Sequence, residues 1–401
     1  MKFKDYPLHP TLLKAIEELG YNRPTDIQHK AIRHILNGED VMAVAPTGTG
    51  KTAAFVIPIL HKLEKSKGKK GLKVLVMVPT RELAKQIEEV FMQLGKYTSV
   101  KVLAVIGGVE QDPQIARLKD SVEVLICTPG RMFDLIAQGF IDLSGIHTWV
   151  LDEADLMLDL GFARDIKDAL NKLPIHKQTL FFTATIDKKI KSLAYDVVRS
   201  AIRIQISPKN PVSKNVAHAV LMVEMDDKRF FLENLISEYE GQRFIVFVRT
   251  KVRAERVHAA MARINIASEI LHGSIEQSER FDILDRFKAG ENKVLITTDV
   301  ACRGIDIPNV EYVINYDLPD NPENYVHRCG RTGRGTSRGQ ALSFCSQGEL
   351  SLLADIEVYV GEEIERYDLT TEEYKQIIED RMDPDENWKK LMEENDLDEW
   401  D

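Results

Sequence analysis

The feature that most constrains the fold is a rhythm of short apolar runs, each followed by a loop and a stretch with helical periodicity. Residues 40–60 (DVMAVAPTGTGKTAAFVIPIL) form one such unit and residues 72–95 form the next. Further apolar runs lie at 122–128, 148–154 and 178–185. Uninterrupted apolar strands that alternate with helices are typical of parallel sheets covered by helices on both faces. The pattern therefore predicts an α/β fold.

The rhythm pauses at residues 206–218, which contain two prolines, two asparagines and two serines and have no apolar periodicity. Such a stretch favours an interdomain linker. A second series of apolar runs then follows, at 243–250, 267–273, 292–299, 310–317 and 339–346. We predict two tandem parallel-sheet domains joined by a flexible linker. The predicted division is a domain at 1–206, a linker at 207–218, a domain at 219–368 and a tail at 369–401.

The net charge of −10 is concentrated at the carboxyl end. Residues 371–401 carry 13 Asp and Glu but only 4 Lys and Arg, so the preceding residues are almost neutral. A neutral body is compatible with nucleic-acid binding through local patches and backbone amides. It argues against a basic protein that coats any polyanion.

The sequence contains no recognisable signal for secretion, membrane insertion or disulfide formation. Residues 1–10 contain no apolar core of a secretory signal, and the apolar runs are too short to span a bilayer. Cys127, Cys302, Cys329 and Cys345 form no CxxC pair, so neither a disulfide framework nor a zinc site is indicated. We expect a cytoplasmic protein with no membrane attachment.

A candidate phosphate-binding loop stands between a predicted strand and a predicted helix. Gly48 and Gly50 allow the backbone to curl its N–H groups around phosphate oxygens at a helix N-terminus. Lys51 is expected to neutralise the β- and γ-phosphates, and the Thr52 hydroxyl to take a Mg²⁺ position. The alternative is an ordinary glycine-rich turn. The complete loop is Ala45, Pro46, Thr47, Gly48, Thr49, Gly50, Lys51 and Thr52, with Ala45 where the generic pattern has glycine.

Two acidic residues follow the apolar run at 148–151, at the edge of the sheet where α/β proteins bind ligands. Asp152 is expected to hold Mg²⁺ directly or through water. Glu153 is expected to orient the attacking water and accept its proton. The alternative is an acidic helix N-terminus that the helix dipole stabilises.

Upstream, Gln28 carries an amide that can pair with both N6 and N7 of adenine and thereby reject guanine. Phe3 or Tyr21 would supply an aromatic ring to stack on the base. The alternative for residues 20–28 is a Pro-Thr turn that caps a helix.

Taken together, the motifs resemble those of a DEAD-box RNA helicase of superfamily 2, over roughly residues 1–365. They occur in family order as Phe3 with GYNRPTDIQ (20–28), APTGTGKT (45–52), PTREL (79–83), GG (107–108), TPGR (128–131), DEAD (152–155), TAT (183–185), VFVRT (246–250), TTDVACRGIDI (297–307) and HRCGRTGR (327–334). The departures are small: TAT replaces the commoner SAT, and Cys302 and Cys329 replace aliphatic residues. None of them removes a catalytic group.

The resemblance implies two RecA-like domains, the cofactors ATP and Mg²⁺, and single-stranded and duplex RNA as partners. It adds Thr25, Gly304 and Asp306 to the nucleotide site, with Asp306 on the ribose. Arg331 and Arg334 would reach the γ-phosphate as arginine fingers. The implied coupling residues between the domains are Asp155, Thr183, Thr185, His327 and Arg328. The implied RNA-binding residues are Pro79, Thr80, Arg81, Gly107, Gly108, Thr128, Pro129, Gly130, Arg131, Arg249, Thr250 and Thr298.

The expected mechanism is a population shift, in which ATP and RNA together favour closure of two domains that are otherwise independent. Three alternatives stay open: a DNA helicase of the same superfamily, an ATP-dependent RNA clamp that rarely unwinds, and an NTPase that does not act on nucleic acid. Protein partners would bind through the second domain or the acidic tail. The other reading of the tail is a solvating segment.

Overall fold

The computed structural model describes residues 2–66, 71–206, 212–302, 305, 307, 310–333 and 338–381. The chain divides near residue 208 into two compact units. Within these described residues, no helix is both long enough and apolar enough to cross a membrane.

The first unit is built on a seven-stranded sheet in the order β3-β4-β2-β5-β6-β1-β7, with parallel pairing throughout. Its strands are β1 (Val41–Val44), β2 (Val74–Met77), β3 (Val102–Val105), β4 (Val124–Cys127), β5 (Thr148–Leu151), β6 (Gln178–Thr183) and β7 (Ile202–Gln205). The central strands are buried along their whole length because helices cover both faces of the sheet. The core on one face surrounds Trp149, which is fully buried.

The helices of the first unit begin at recognisable caps. Thr25 and Gln28 form a capping box, and Thr80 accepts a hydrogen bond from the backbone N–H of Leu83. The helices are α1 (Pro10–Glu18), α2 (Asp26–Leu36), α3 (Lys51–Lys65), α4 (Arg81–Leu94), α5 (Asp112–Leu118), α6 (Pro129–Ala137), α7 (Ala154–Asp159), α8 (Ala163–Lys172) and α9 (Lys188–Val197), preceded by a 3₁₀ turn at Phe3–Asp5.

The second unit repeats the architecture with the sheet order β10-β11-β9-β12-β13-β8-β14, again with parallel pairing. Its strands are β8 (Val216–Met222), β9 (Phe244–Phe247), β10 (Glu269–Leu271), β11 (Val294–Thr297), β12 (Tyr312–Asn315), β13 (Gly339–Cys345) and β14 (Glu365–Tyr367). Its helices are α10 (Lys228–Glu238), α11 (Lys251–Arg263), α12 (Gln277–Ala289), α13 (Asp299–Cys302), α14 (Pro322–Cys329), α15 (Leu350–Val360) and α16 (Thr371–Glu379), with a 3₁₀ turn at Gln347–Glu349.

The predicted fold class of two tandem parallel-sheet domains is confirmed by these two sheets. The exact division at 1–206, 207–218, 219–368 and 369–401 stays a prediction. Strand β8 begins at Val216, so the last three residues of the predicted linker belong to a strand. Residues 207–211 of that linker lie outside the described residues, as do residues 382–401 of the tail.

Candidate functional site

Three of the predicted nucleotide motifs follow neighbouring strands of the first sheet. The phosphate loop follows β1, the DEAD residues follow β5, and the TAT residues begin at the last residue of β6, which lies between those two strands. Because the strands are parallel, their carboxyl ends meet at one edge of the sheet. Motifs that are far apart in sequence are thereby brought together.

The phosphate loop has the backbone that its glycines predict. Gly48 and Gly50 have φ values of 77° and 88°, in the left-handed region that glycine adopts without steric cost. Gly50 caps helix α3, and the Thr49 hydroxyl donates to the Pro46 carbonyl at 2.7 Å. Pro46, Thr47 and Thr52 are partly exposed. The loop thus opens the N-terminus of α3 toward a ligand.

The departure at the first loop position has a structural reason. Ala45 is completely buried, and its backbone N–H donates to the Thr183 carbonyl at 3.0 Å. The residue therefore continues the pairing of β1 with β6 rather than bending away from it. A glycine is unnecessary because no left-handed conformation is found there.

Gln28 connects helix α2 to the phosphate loop. Its Oε1 accepts from the Thr25 N–H at 3.0 Å and its Nε2 donates to the Gly50 carbonyl at 3.2 Å. The side chain is 5% exposed. The helix-capping alternative is therefore realised here, and the same amide also holds the loop. The predicted adenine contact stays a prediction.

The two predicted stacking residues differ in exposure. Phe3 is buried, with its ring centroid 6.4 Å from that of Tyr6 and 6.3 Å from that of Tyr21. Tyr21 is exposed. In this conformation the Tyr21 ring is the more accessible of the two for a base, and the buried Phe3 ring packs beside it.

Lys51 and Glu153 form an ion pair at the carboxyl edge, with Nζ 2.9 Å from Oε1. Both side chains are largely shielded from solvent. Burial alone would lower the pKa of Lys51, but the nearby carboxylates of Glu153, Asp152 and Asp155 outweigh it and raise that pKa. Lys51 therefore keeps its positive charge where a triphosphate is expected.

Asp152 is 2% exposed and accepts from the Glu153 backbone N–H at 3.0 Å. Burial raises the pKa of Asp152 to about 7, although the charge of Lys51 opposes this shift. An acid in this environment is poorly solvated and needs a cation to stay ionised. Glu153 itself adopts φ 51° and ψ 51°, which is unusual for a residue with a side chain. Such strain is often found at functional sites.

Asp155 joins the DEAD residues to the TAT residues. Its Oδ2 accepts from the backbone N–H groups of Ala184 at 3.0 Å and Thr185 at 2.9 Å, and from the Thr185 hydroxyl at 3.2 Å. The Thr183 hydroxyl donates to the Thr185 carbonyl at 3.0 Å. One buried carboxylate thus sets the conformation of the loop after β6.

The predicted RNA motifs of the first unit occupy the other half of the same edge, after β2, β3 and β4. The Arg81 guanidinium lies beside Gly107, where an added Cβ would be 3.7 Å from Nη2. Gly108 has a φ of 72° and is exposed. Thr128 caps helix α6, whose first two residues are the buried Pro129 and the exposed Gly130, while Pro79 is buried ahead of the Thr80 cap.

Arg131 is only partly satisfied. Its Nη2 donates to the Val109 carbonyl at 2.9 Å, but its buried Nη1 has no hydrogen-bond partner among the described residues. An unpaired buried guanidinium nitrogen is costly unless an acceptor arrives. Among the described residues, the Arg131 guanidinium therefore keeps one unused donor.

In the second unit, Arg249 and Thr250 follow β9 and Thr298 follows the adjacent β11. The Thr250 hydroxyl accepts from the Arg253 N–H at 3.2 Å and caps α11. Arg249 and Thr250 are exposed and Thr298 is partly exposed. These three residues therefore share one edge of the second sheet.

Arg328 uses its guanidinium within the second unit. It forms two hydrogen bonds with Asp299, at 2.6 and 2.7 Å, and also donates to Asn315 Oδ1 and the Asp317 carbonyl. It is 1% exposed, while the neighbouring His327 is partly exposed. Arg331 is buried, and its Nε donates to the His327 carbonyl at 3.1 Å. The predictions for Gly304, Asp306 and Arg334 concern residues outside those that the structure describes.

Sequence reasoning missed the acidic partners in the second unit, namely Asp299, Asp317 and Glu349. Asp317 is 3% exposed, and its carboxylate accepts from the Arg249 N–H and from Arg253 Nε. Asp299 and Asp317 could have been found from their positions, because each comes two residues after the end of a buried strand. Glu349 had no such signal, since it lies in a 3₁₀ turn far from the motifs.

The fold and the site together define a nucleotide-binding enzyme with a phosphate loop. The other half of the same sheet edge carries polar loops suited to a polyanion. Residues 25–193 match the family model of the DEAD/DEAH box helicase, and residues 227–336 match that of the helicase conserved C-terminal domain. The chain belongs to the DEAD-box ATP-dependent RNA helicases. It is an enzyme that hydrolyses ATP and acts on RNA.

The sequence is similar to those of named helicases over most of its length. It is 36% identical to the ATP-dependent RNA helicase DbpA of Bacillus subtilis, over 92% of this chain and 77% of that protein. It is 38% identical to the DEAD-box ATP-dependent RNA helicase RhpA of Helicobacter pylori, over 94% of this chain and 76% of that protein.

Solved structures agree with this assignment. S. cerevisiae Dbp5 bound to RNA and ADP BeF3 has a TM-score of 0.84 at 31% identity, covering 94% of this chain and 99% of that chain. Mss116p bound to single-stranded RNA and AMP-PNP has a TM-score of 0.83 at 27% identity, covering 96% and 82%. A Dbp5 variant bound to Gle1 and IP6 has a TM-score of 0.78 at 31% identity, covering 95% and 98%.

Proposed function

We propose that the first unit binds ATP at the end of β1 and RNA at the ends of β2, β3 and β4. The observation that carries this proposal is the division of one sheet edge into two adjoining sets of loops. On the nucleotide side, Gln28, Thr25 and the aromatic pair Phe3 and Tyr21 would bind the base. The loop at 45–52 would bind the phosphates.

Lys51 and Glu153 suggest how binding prepares hydrolysis. The two side chains form an ion pair at 2.9 Å and neutralise each other. A triphosphate would compete for the Lys51 ammonium, because three phosphates carry more negative charge than one carboxylate. Glu153 would then be released to orient a water molecule and accept its proton. The left-handed backbone of Glu153 supports this role, because strain of this kind is retained where it aids function.

Thr52 and Asp152 would hold Mg²⁺, partly through water. The oxygen chemistry of these groups fits, since Mg²⁺ prefers one or two carboxylates together with water and substrate phosphates. When bound, Mg²⁺ neutralises charge that develops on the phosphates.

On the RNA side, phosphates and sugars would bind the threonine hydroxyls and arginines after β2, β3 and β4. The unsatisfied Nη1 of Arg131 supports this assignment. In the second unit, Arg249, Thr250 and Thr298 would also bind the RNA backbone. Contacts of these kinds position a strand without reading its sequence. Both single-stranded and duplex RNA are proposed substrates, with local unwinding as the outcome.

The second unit would complete catalysis. We assign Arg331 and Arg334 to the γ-phosphate, Gly304 and Asp306 to the nucleotide, and His327 and Arg328 to coupling with Asp155, Thr183 and Thr185. The Dbp5 structure in complex with RNA and ADP BeF3 supports a nucleotide-dependent RNA complex in a relative. The proposed domain limits are those predicted from the sequence.

Cellular context is also a proposal. The four cysteines are free and buried, which suits a reducing cytoplasm. Protein partners that bind the second unit or the acidic tail are supported by the Dbp5 complex with Gle1, in which a relative binds another protein.

The decisive test is an ATPase assay with RNA and DNA oligonucleotides of matched sequence. RNA should stimulate turnover and DNA should not, because only RNA offers the ribose 2′-OH. Equal stimulation by both polymers, or a rate that saturating single-stranded RNA does not change, would contradict the proposed coupling. Strand release from a labelled duplex then separates an unwinding enzyme from a clamp.

A further inference from the structure

Glu349 is a buried carboxylate that accepts five hydrogen bonds in the second unit. Its Oε1 accepts from Arg249 Nη2 at 3.1 Å and from the Leu318 N–H at 3.3 Å. Its Oε2 accepts from Lys228 Nζ at 2.5 Å, and from the hydroxyl and backbone N–H of Ser346 at 3.0 and 3.2 Å. Glu349 is 3% exposed. Such complete satisfaction is what allows a charge to be buried.

The carboxylate is held in its ionised form. Burial would raise the pKa of Glu349, but the hydrogen bond and charge of Lys228, together with the Ser346 donors, lower it below its usual range. Lys228 is completely buried and also donates to the Tyr316 carbonyl at 2.8 Å. In the described part of the chain, no hydrogen bond joins Lys228 to Arg249. Lys228 bonds Oε2 of Glu349, whereas Arg249 bonds Oε1.

Arg249 is anchored along one edge of its guanidinium. Nη2 donates to Glu349 and, at 3.1 Å, to the Leu318 carbonyl, while Nε lies 3.2 Å from Asp320 Oδ1. No acceptor for Nη1 is found among the described residues, and the side chain is 37% exposed. One nitrogen of a partly exposed arginine is thus left to solvent, directly before Thr250.

We infer that Glu349 is a positioning residue for RNA binding, which orients the Arg249 guanidinium so that Nη1 can donate to a phosphate. The inference rests on the proposed RNA role of Arg249. A flexible arginine must lose rotamer freedom when it binds, whereas one that is already held loses less. Glu349 touches neither substrate, and its effect passes through Arg249.

The test compares Glu349→Gln with Lys228→Met in the full chain. Both variants disturb the same buried cluster, but only Glu349→Gln removes the carboxylate itself; Lys228→Met leaves that carboxylate with its contacts to Arg249, Leu318 and Ser346. The readout is the concentration of single-stranded oligouridine that half-maximally stimulates ATP hydrolysis, measured beside the thermal midpoint. Glu349→Gln should raise that concentration about tenfold, as expected for a weakened charge-assisted contact, with the rate at saturating RNA and the KM for ATP little changed.

Lys228→Met should lower the thermal midpoint at least as much while leaving the half-activating concentration unchanged. Equal increases in both variants would show that Glu349 only stabilises the unit and would overturn the inference. If Glu349→Gln does not fold, Glu349→Asp, which keeps the charge but shortens the side chain, is measured in the same way and should give a smaller increase.

Arg249→Gln separates failure of the inference from failure of the proposed function. If Arg249→Gln raises the half-activating concentration and Glu349→Gln does not, the RNA role of Arg249 stands and the positioning role of Glu349 fails. If Arg249→Gln has no effect, the RNA role itself fails. In the double variant the increases in half-activating concentration should not add, because Glu349 acts through Arg249. Additive increases would show that the two residues act independently and would refute the positioning role.

Discussion

Lys51 and Glu153, which are 102 positions apart in sequence, form a buried ion pair at the carboxyl edge of the first sheet. The pair brings the phosphate loop and the DEAD residues into one site. An anionic triphosphate bound at the loop would compete with Glu153 for the Lys51 ammonium.

Replacement of Glu153 by Gln tests its proposed role as the base. ATP should still bind, because the loop and Lys51 are intact and Lys51 no longer has a competing carboxylate. RNA-stimulated hydrolysis should fall by about 10²–10⁴-fold, the usual contribution of a general base. Binding of a fluorescent ATP analogue and steady-state turnover are the measurements. Glu17→Gln, on the exposed face of α1, is the matched control, and retained turnover in Glu153→Gln would refute the assignment.

Gly50→Ala is expected to damage nucleotide binding through a specific clash. An added Cβ would lie 2.5 Å from Gln28 Nε2, at a residue with φ +88°. Gly139→Ala is a matched control, since Gly139 has φ +78° but nothing within 4 Å of the added atom. Both variants should lose about 1–2 kcal/mol of stability from backbone strain. Only Gly50→Ala should weaken ATP affinity, about tenfold or more on the energy scale of a displaced hydrogen bond; equal affinities in an equilibrium titration would contradict the clash.

Asp155→Asn should loosen the loop after β6. The backbone N–H groups of Ala184 and Thr185 would exchange a charged acceptor for a neutral amide. Hydrogen bonds to charged groups contribute about 1.5–3 kcal/mol, so these two amides should exchange with solvent roughly 10–100 times faster. The Ala104 N–H, which donates to Glu88 at 2.8 Å elsewhere in the unit, is the internal control. Unchanged protection at Ala184 and Thr185 would show that Asp155 does not hold the loop.

The burial of Lys62 is expected to make the free energy of unfolding depend on pH. Burial lowers the pKa of Lys62 from 10.5 to about 8, and its ammonium donates to the neutral Oε1 of Gln178 at 2.7 Å. Between pH 8 and 10.5 the unfolded chain holds this proton and the folded chain does not, so the contribution of Lys62 to the free energy of unfolding rises with pH. Below pH 8 the charged form costs stability. Lys62→Met should therefore unfold at a higher urea concentration than the wild type at pH 7, and the difference should shrink toward pH 10.

The exposed Lys65, on the same helix, is the control for the Lys62 measurement. Lys65→Met should show the same pH profile as the wild type. A Lys62→Met profile parallel to that of the wild type would contradict the effect of burial.

Tyr374 predicts that the start of the acidic tail belongs to the folded second unit. Its hydroxyl donates to Asp227 at 2.8 Å and accepts from the Glu224 N–H at 3.1 Å, and its ring lies 4.8 Å from that of Phe231. Tyr374→Phe should cost about 1 kcal/mol, the usual net contribution of a hydrogen bond. Tyr374→Ala should cost more, because the ring contact is also lost. Urea unfolding measures both, and no change in Tyr374→Ala would mean that α16 is not held in place.

Some elements could not be predicted because their signals are weak. Strands β7 and β14 lie at sheet edges and are largely exposed, so they lack a continuous apolar run. Helix α16 has no buried residue and stands in an acidic segment whose sequence favours a partly helical or disordered chain, yet a capping box between Thr370 and Glu373 starts it and Tyr374 anchors it. Strand β8 begins inside a stretch whose prolines and asparagines indicate a linker. In each case tertiary contacts outweigh local composition.

The amino-acid sequence by itself determined the fold class, the family and the order of the motifs, because period, glycine placement and motif spacing are local properties of the chain. Only the tertiary structure decided which side chains meet. In the first unit Lys51 pairs with Glu153, and Asp155 with the loop at 184–185; in the second unit Glu349 pairs with Arg249. These residues meet because parallel strands bring their carboxyl ends to one edge of each sheet. Burial and neighbouring charges together shift the pKa of Lys51, Asp152 and Glu349, and both depend on packing that no single stretch of sequence specifies.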